Sequence, residues 1–204
     1  MTLEVDRVTV RRGGRTVIDE LSMRADAGEI VGIVGKNGCG KSTLLLAIAG
    51  VLAPTDGRVL VAGASVWGRD RARARAALGF VPEAADPPGF LLASELWALC
   101  QTARGASPPA PELVEQLGLD ELRDLALERM SLGQRRRACL AAALLGPPAL
   151  LVLDEPDNGL DARRLDALAE ILLAHAAAGR AAVVATHDLA LLERVRARHV
   201  SLVS

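Results

Sequence analysis

The feature that most constrains this chain is a glycine-rich stretch at residues 35–43, which lies between two apolar runs. It contains the spacing Gly-x-x-x-x-Gly-Lys-Ser. The run before it, residues 29–34, predicts a strand, and the run after it, residues 44–49, predicts a helix. Glycines let backbone amides approach a polyphosphate, and the N-terminus of the following helix offers unpaired amides and a positive dipole end. The stretch therefore predicts a site for a nucleoside triphosphate.

Two side chains in this stretch add charge and metal chemistry. The Lys41 ammonium can bridge the outer phosphates, and the Ser42 hydroxyl can ligate a magnesium ion. The predicted phosphate-binding residues are Gly35, Lys36, Asn37, Gly38, Cys39, Gly40, Lys41, Ser42 and Thr43.

Length and composition exclude several other classes of protein. A chain of 204 residues fits one domain with room for a small inserted subdomain, and a net charge of −1 gives no attraction to nucleic acid. The longest candidate membrane span, residues 138–153, is interrupted by Gly146, Pro147 and Pro148, and the N-terminus lacks a signal pattern. Three scattered cysteines predict neither a disulfide framework nor a metal site. We therefore expect a cytosolic protein.

The N-terminal region, residues 3–34, alternates apolar and polar positions and predicts short antiparallel strands around the turn Gly13-Gly14. Arginines cluster at this turn, and Arg12 is one of them. They are either a solvated hairpin tip or a contact with a bound base, because a guanidinium stacks on aromatic rings.

Residues 84–130 differ in character and predict a small helical subdomain inserted between core strands. Pro87-Pro88-Gly89 breaks the chain, residues 91–101 have a helical pattern, and short helices are predicted at 112–118 and 120–127. We expect Phe90, Trp97 and Leu113 to form the packing of this subdomain.

Two later apolar runs predict buried parallel strands that end in chemically active residues. Residues 149–153 lead to Asp154-Glu155, and residues 181–185 lead to Thr186-His187-Asp188. Open α/β sheets bind ligands at the carboxyl ends of their strands, which makes Glu155 and His187 catalytic candidates. His175 and His199 lack such a position and are predicted to be surface residues.

Helix-start patterns mark two further segments. Ser131 and Gln134 have the spacing of a capping box, and Asp161 is a predicted N-cap for a helix over residues 162–178.

Taken together, these motifs make the chain resemble the ATP-binding subunit of ATP-binding-cassette (ABC) transporters over essentially its whole length. Residues 35–43 resemble Walker A, and residues 131–134 resemble the signature motif. Residues 150–155 resemble Walker B with its following glutamate, residues 158–161 resemble the D-loop, and His187 resembles the switch histidine.

The resemblance implies an α/β fold: a P-loop NTPase (RecA-like) core with a mainly parallel sheet, an N-terminal antiparallel β subdomain and a small inserted helical subdomain. It implies one domain over residues 1–204, with residues 1–83 and 131–204 in the core and 84–130 in the helical subdomain. It also implies ATP and Mg²⁺ as cofactors and a separate transmembrane permease subunit, beside which this chain would lie on the cytoplasmic side of the membrane.

The resemblance further implies roles for individual residues. Glu155 would polarise the attacking water, His187 would hold the γ-phosphate, and Lys41 would carry transition-state charge. Two ATPase subunits would pack head to tail, so that Ser131 and the Gly133 amide grip a γ-phosphate bound to the partner. The remaining implied ligands are Gln134 and Asp161 for nucleotide, and Ser42, Asp154 and Glu83 for magnesium.

Four positions depart from the family pattern. Glu83 replaces the usual glutamine, and a glutamate at this position resembles exporter-type members. Leu132 replaces the first glycine of the signature motif. Arg12 is the expected occupant of the place of the missing adenine-stacking aromatic residue, and Asp157 adds a charge beside Glu155. These departures leave open an alternative, a degenerate or regulatory nucleotide-binding subunit with little ATP turnover.

Overall fold

The computed structural model describes residues 1–202, and Val203 and Ser204, the last two residues of the predicted domain, lie outside that range. The strands are β1 (Leu3–Arg12), β2 (Arg15–Ala25), β3 (Ile30–Val34), β4 (Asp56–Val61), β5 (Ala64–Ser65), β6 (Leu78–Val81), β7 (Leu150–Asp154), β8 (Ala181–Ala185) and β9 (Arg198–Ser201). The helices are α1 (Lys41–Ile48), α2 (Arg71–Ala76), α3 (Ala93–Arg104), α4 (Pro111–Leu117), α5 (Leu132–Leu144), α6 (Ala162–Ala177) and α7 (Leu189–Arg194), with a 3₁₀ helix at Leu127–Arg129.

A parallel sheet with the strand order β6-β7-β8-β3-β9 forms the centre of the molecule. Every residue of β7 and β8 is buried, as their unbroken apolar sequences predict for strands covered on both faces. In the register, Asp154 of β7 and Ile33 of β3 both pair with Ala185 of β8. The carboxyl ends of these three strands therefore meet at one edge of the sheet.

A second, antiparallel sheet with the order β2-β1-β4-β5 lies beside the parallel one. The predicted hairpin is present, but the prediction of short strands was wrong, because β1 has 10 residues and β2 has 11. Register shifts interrupt their pairing, and Arg7 and Glu20 have positive φ angles of 46° and 42° in these two strands. Such bulges let long strands bend and twist while they stay paired.

The prediction of a helix at residues 120–127 was wrong, because the chain forms turns there before the 3₁₀ helix. The backbone of this segment is paired with residues at the start of α3 and just before it. The Ala93 amide donates to the Leu125 carbonyl at 3.1 Å, and the Leu127 amide donates to the Leu91 carbonyl at 2.9 Å. These non-local bonds satisfy groups that a helix would have paired internally.

Of the three residues predicted to pack in the helical subdomain, two do so. Trp97 is buried, and its indole nitrogen donates to the Ala138 carbonyl of α5 at 2.9 Å, while Leu113 is partly buried in the same cluster. Phe90, however, is 75% exposed, so its assignment to the core was wrong.

His175 is buried in the last turn of α6, which corrects its prediction as a surface residue. Its Nε2 lies 3.2 Å from the carbonyl oxygen of Ala181, the first residue of β8. Burial lowers the pKa of His175 to about 4, so the ring is neutral at pH 7 and Nε2 donates to that carbonyl. Its spacing from Leu168 and Leu172 on the same helix face is the signal that predicts burial. His199, by contrast, is exposed on β9 as predicted.

Within residues 1–202, the helices are all too short or too polar to cross a membrane.

Candidate nucleotide-binding site

The glycine-rich loop joins β3 to α1, as its flanking sequences predict. Gly40, the residue before α1, has φ = 104°, a conformation that residues with a side chain rarely adopt. A Cβ at this position would also lie 2.9 Å from the Ile18 side chain of β2. Gly40 therefore lets the loop turn sharply into α1 while it packs against the antiparallel sheet.

A cavity of about 470 Å³ opens above this loop at the carboxyl edge of the parallel sheet. It brings together residues from the loop, the segment after β6, the ends of β7 and β8, and β2. Its lining residues are Val17, Asn37, Gly38, Gly40, Lys41, Ser42, Thr43, Glu83, Glu155, Asn158 and His187. Sequence reasoning assigned Val17 to no site and placed Asn158 only in the segment that resembles the D-loop, since neither side chain has chemistry that stands out without its neighbours.

Lys41 is buried at the base of this cavity. Its Nζ donates to the Gly35 carbonyl at 3.1 Å and lies 3.2 Å from Nε2 of His187. The ammonium is therefore held between the loop and the end of β8, where it can meet an incoming polyphosphate.

Glu155 and His187, which follow β7 and β8, contact each other in the same cavity. Nε2 of His187 is 3.2 Å from Oε1 of Glu155, and the His187 amide donates to Oε2 at 3.3 Å. Glu155 has φ = 47°, an uncommon angle for a residue with a side chain, and its amide donates to the Ala185 carbonyl at 2.7 Å. Burial raises the pKa of Glu155, and His187 opposes that rise. The carboxylate is thus partly desolvated beside a group that can share a proton.

Nε2 of His187 has two neighbours that require different hydrogen-bonding roles of this atom: Lys41 requires an acceptor and Glu155 a donor. It accepts a hydrogen bond when Lys41 donates to it, and it can donate to Glu155 only when it carries the ring proton. A polyphosphate that drew the Lys41 ammonium away would leave Nε2 free to donate.

Asp154 ends β7 and has the character of a hard-cation ligand. It is buried, its Oδ1 has no hydrogen-bond partner among residues 1–202, and burial raises its pKa while the Ser42 hydroxyl opposes the rise. A hydroxyl beside a free carboxylate oxygen suits Mg²⁺, which takes few protein ligands and binds substrate phosphates as well. The described residues contain no cluster of three or more His, Cys, Asp or Glu side chains that could hold a metal.

The predicted signature motif lies outside the cavity lining, at the N-terminus of α5. Its capping box is present: Ser131 Oγ accepts from the Gln134 amide at 3.2 Å, and Gln134 Oε1 accepts from the Ser131 amide at 2.9 Å. A Cβ on Gly133 would lie 2.4 Å from the Gly159 carbonyl, so this motif is packed closely against the residues that follow β7. Leu132 is 60% exposed at the helix start.

Five further predicted nucleotide ligands also lie outside the cavity lining: Arg12, Gly35, Lys36, Cys39 and Asp161. Arg12 is exposed at the end of β1 and pairs with Arg15 across the hairpin, so its contact with a base stays a prediction. Asp161 caps α6, where its Oδ1 accepts from the Arg164 amide at 2.8 Å.

A phosphate-binding loop that faces a desolvated carboxylate and a histidine at one sheet edge is the arrangement of P-loop nucleoside triphosphatases. Comparison with known proteins narrows this class. Residues 18–158 match the family described as ABC transporter, and the chain belongs to that family as the nucleotide-binding domain of an ABC transporter, an ATPase.

Two relatives and one solved structure illustrate the likeness. The cytochrome c biogenesis ATP-binding export protein CcmA of Gluconobacter oxydans is 37% identical over 198 residues, which cover 97% of this chain and 87% of that protein. Nod factor export ATP-binding protein I of Bradyrhizobium diazoefficiens is 34% identical over 200 residues, which cover 95% of this chain and 65% of that protein. A structure of an ATP-binding subunit of an ABC transporter has a TM-score of 0.92 at 28% identity and covers 99% of this chain and 86% of its own. The predicted fold class, a P-loop core with parallel and antiparallel sheets, is confirmed.

Proposed function

We propose that this chain is the ATP-hydrolysing subunit of an ABC exporter and powers a separate membrane subunit from the cytoplasmic side of the membrane. The observation that carries the proposal is the contact of Glu155 with His187 in a cavity whose base is Lys41. The export direction rests on the names of the two relatives, both of which are export proteins.

Several polar residues at this edge of the sheet have tasks in the proposed reaction. Lys41 binds the outer phosphates, Glu155 accepts a hydrogen bond from the attacking water and orients it, and His187 donates from Nε2 to the γ-phosphate. Ser42 and Asp154 would hold Mg²⁺, which neutralises charge on the phosphates when it is bound. Glu83, which lines the same cavity, would approach that ion from the segment after β6.

A second ATPase subunit would complete the site. Ser131, Gly133 and Gln134 lie outside the cavity of their own chain, at a helix start whose amides favour an anion. Head-to-tail pairing would place this helix start against the γ-phosphate bound by the partner. Such a site is complete only in the closed dimer, so hydrolysis would reopen it.

The membrane subunit would bind in a groove of about 300 Å³ between the segment after β6 and the helices α3 and α5. The groove is next to Glu83, so a partner there would be sensitive to the nucleotide. We infer that residues 84–130 act as the helical subdomain that carries one wall of this groove, with residues 1–83 and 131–204 as the core. The groove is lined by Phe80, Pro82, Ala85, Asp86, Pro87, Leu96, Cys100, Arg104, Cys139, Ala142 and Ala143.

A mixing experiment tests the composite site. Lys41→Ala and Ser131→Ala are purified separately, mixed in equal amounts, and assayed for steady-state ATPase activity. Each variant alone has two defective sites, whereas a mixed dimer has one intact site, so random pairing should restore about a quarter of the wild-type sites.

The matched control mixes Lys41→Ala with Glu155→Gln. Both changes lie in the same half of the site, so the mixed dimer has no intact site and should stay inactive. Equal recovery in both mixtures, or no recovery in either although crosslinking detects mixed dimers, would rule out head-to-tail sharing.

The regulatory alternative is favoured by one observation, the exposed Leu132 at the helix start that would face the γ-phosphate. A branched side chain there would weaken closure. The ATPase rates of wild type and Glu155→Gln decide between the two functions: a regulatory subunit gives equal, near-zero rates together with tight ATP binding.

A further inference from the structure

The segments that follow β7 and β8 are joined by more than the contact of Glu155 with His187. Thr186, the residue before His187, is only 2% exposed. Its hydroxyl donates to Oδ1 of Asp157 at 2.5 Å and accepts from the Asp188 amide at 2.9 Å. This buried hydroxyl therefore closes the turn of residues 186–188, which we call the His187 loop, and ties it to the segment after β7.

The two partners of the Thr186 hydroxyl fix the direction of this hydrogen-bond chain. A backbone amide can only donate and a carboxylate can only accept, so the hydroxyl proton points to Asp157. Bonds to a charged acceptor are shorter and stronger than neutral ones, which agrees with the distance of 2.5 Å. If the Thr186 side chain rotated away, its buried hydroxyl and the Asp188 amide would both lose their partners, which is costly.

Asp157 is held in place by a turn of the backbone. The Asn158 amide donates to the Glu155 carbonyl at 3.3 Å, and the Leu160 amide donates to the Asp157 carbonyl at 3.1 Å. This turn begins directly at the end of β7, a strand in which every residue is buried. The Asp157 carboxylate therefore extends from a fixed backbone, and its bond to Thr186 can fix the His187 loop in turn.

The other contacts of His187 are made to groups that the reaction would use. Nε2 of His187 lies 3.2 Å from Nζ of Lys41 and 3.2 Å from Oε1 of Glu155, and the His187 amide donates to Glu155 Oε2 at 3.3 Å. In the proposed reaction, Lys41 binds the phosphates and Glu155 orients the attacking water. The bond from Thr186 to Asp157 uses neither group, so it can remain when both are engaged by the substrate.

We propose that Asp157 and Thr186 are positioning residues for His187, and that their hydrogen bond keeps the His187 loop against the end of β7 while Lys41 and Glu155 act on the substrate. Asp157 adds a negative charge two residues after Glu155, which by itself opposes the binding of a polyphosphate. The short bond to Thr186 gives a reason for a carboxylate at this position. The catalytic consequence rests on the proposed ATPase function, whereas the bond itself does not.

A double-mutant cycle of Thr186→Val and Asp157→Ala tests the positioning role. Each change removes one end of the same bond, so each should lower kcat for ATP roughly tenfold and change KM less than about twofold, because the phosphate-binding loop is intact. The double variant should lie within about twofold of the less active single variant, since the bond can be lost only once. Additive losses, or a kcat within about twofold of wild type in both single variants, would overturn the proposal.

Two conservative variants separate the bond from the packing of the residues that make it. Thr186→Ser keeps the hydroxyl, and Asp157→Asn keeps an oxygen that can accept from it. Both should lose less than about threefold in kcat and so retain more activity than Thr186→Val and Asp157→Ala. Equal losses in Thr186→Ser and Thr186→Val would assign the effect to packing and refute the role of the hydroxyl.

Thr9→Val is the matched control, because it also removes a hydroxyl from a largely buried threonine. Thr9 is 9% exposed in β1, and its Oγ1 accepts from the Glu20 amide in the antiparallel sheet, away from the cavity lining. We expect a lower free energy of unfolding and a kcat near that of wild type. A loss of kcat as large as that of Thr186→Val would show that the effect is not specific to the His187 loop.

Amide hydrogen exchange without nucleotide distinguishes failure of this proposal from failure of the proposed function. The His187 and Asp188 amides keep their own acceptors in Asp157→Ala, so faster exchange there reports a less restrained loop. Asp157→Ala should speed exchange of both amides roughly tenfold, and Asp157→Asn should stay within about threefold of wild type.

Unchanged exchange in Asp157→Ala would refute the positioning role, whereas absent ATPase activity in wild type would refute only the proposed function. If Thr186→Val fails to fold, Asp157→Ala and Asp157→Asn decide in the same exchange measurement: the asparagine variant must keep the protection that the alanine variant loses.

Discussion

The carboxyl edge of the parallel sheet and the N-terminus of α5 both carry predicted ATP ligands, but the chain builds the two regions differently. At the sheet edge, His187 is within hydrogen-bonding distance of both Lys41 and Glu155. At α5, the Ser131 hydroxyl accepts from the Gln134 amide of its own turn, and Leu132 is exposed. The sheet edge, which we call the assembled region, is built within the chain, whereas the start of α5 with Ser131 and Leu132, which we call the open region, is exposed.

The difference follows from what supports each region. Strands buried on both faces fix the residues that follow them, so β3, β7 and β8 bring distant segments together at one edge. The start of α5 is held by its cap and by the packing of Leu132 and Gly133 against Gly159. Preorganised groups suit chemistry, whereas an open helix start suits recognition of another surface.

The largest effect is expected for Glu155→Gln, within the assembled region. Glutamine keeps the shape but cannot act as a base, so kcat should fall about 10²- to 10⁴-fold while ATP binding is retained. Steady-state phosphate release and equilibrium ATP binding measure the two effects. A loss of ATP binding of similar size would show that the assembled region is needed for binding rather than for chemistry.

Gly133→Ala should have the next largest effect, in the open region. A Cβ at Gly133 would overlap the Gly159 carbonyl, and relief of that clash costs about 1–3 kcal/mol. We expect lower ATPase activity and a lower free energy of unfolding, with ATP binding by the monomer unchanged. The neighbouring substitution Leu132→Ala is the control, since Leu132 is exposed. Equal harm from both changes would contradict the role of the Gly133 contact.

A smaller effect, on stability, is expected from the pH dependence of His175, which supports the start of β8. The pKa of His175 is lowered to about 4, whereas the unfolded chain has the ordinary value near 6.5. The unfolded state thus binds the proton more readily, and stability is full above pH 6.5 and falls as pH drops towards 4. From pH 7 to pH 5 the loss should be about 2 kcal/mol by urea unfolding. His175→Gln keeps an N–H donor and should show a flatter profile; the same slope as wild type would assign the loss to other groups.

The smallest change is expected for Leu132→Gly, which tests whether the leucine restrains closure. Removal of this exposed side chain should raise ATPase activity by about two- to fivefold at low protein concentration, where dimer closure limits the rate. A rate equal to wild type at every concentration would mean that Leu132 does not hinder the open region.

The sequence predicts the fold best where burial alone decides the structure. The all-apolar runs of β7 and β8 predict strands buried on both faces, and both strands are fully buried. The acidic pair and His187 were predicted as site residues because they follow the carboxyl ends of these strands. Residues 120–127 were mispredicted because part of their backbone pairs with residues 91–94, far away in the sequence. Phe90 was mispredicted because apolarity alone cannot separate a core residue from an exposed one. Pairing of Thr186 with Asp157 joins two loops and has no local pattern.

Cys39 has a consequence for kinetic experiments. Its side chain is only 6% exposed, and a Cβ on Gly35 would lie 2.6 Å from its sulfur, so the thiol is covered by the phosphate-binding loop itself. A thiol reagent can therefore reach Cys39 only while the loop is open, even without nucleotide. The alkylation rate of Cys39 thus reports how often the loop opens spontaneously. A lower alkylation rate in the presence of ATP would measure how much the ligand stabilises the closed form of the loop.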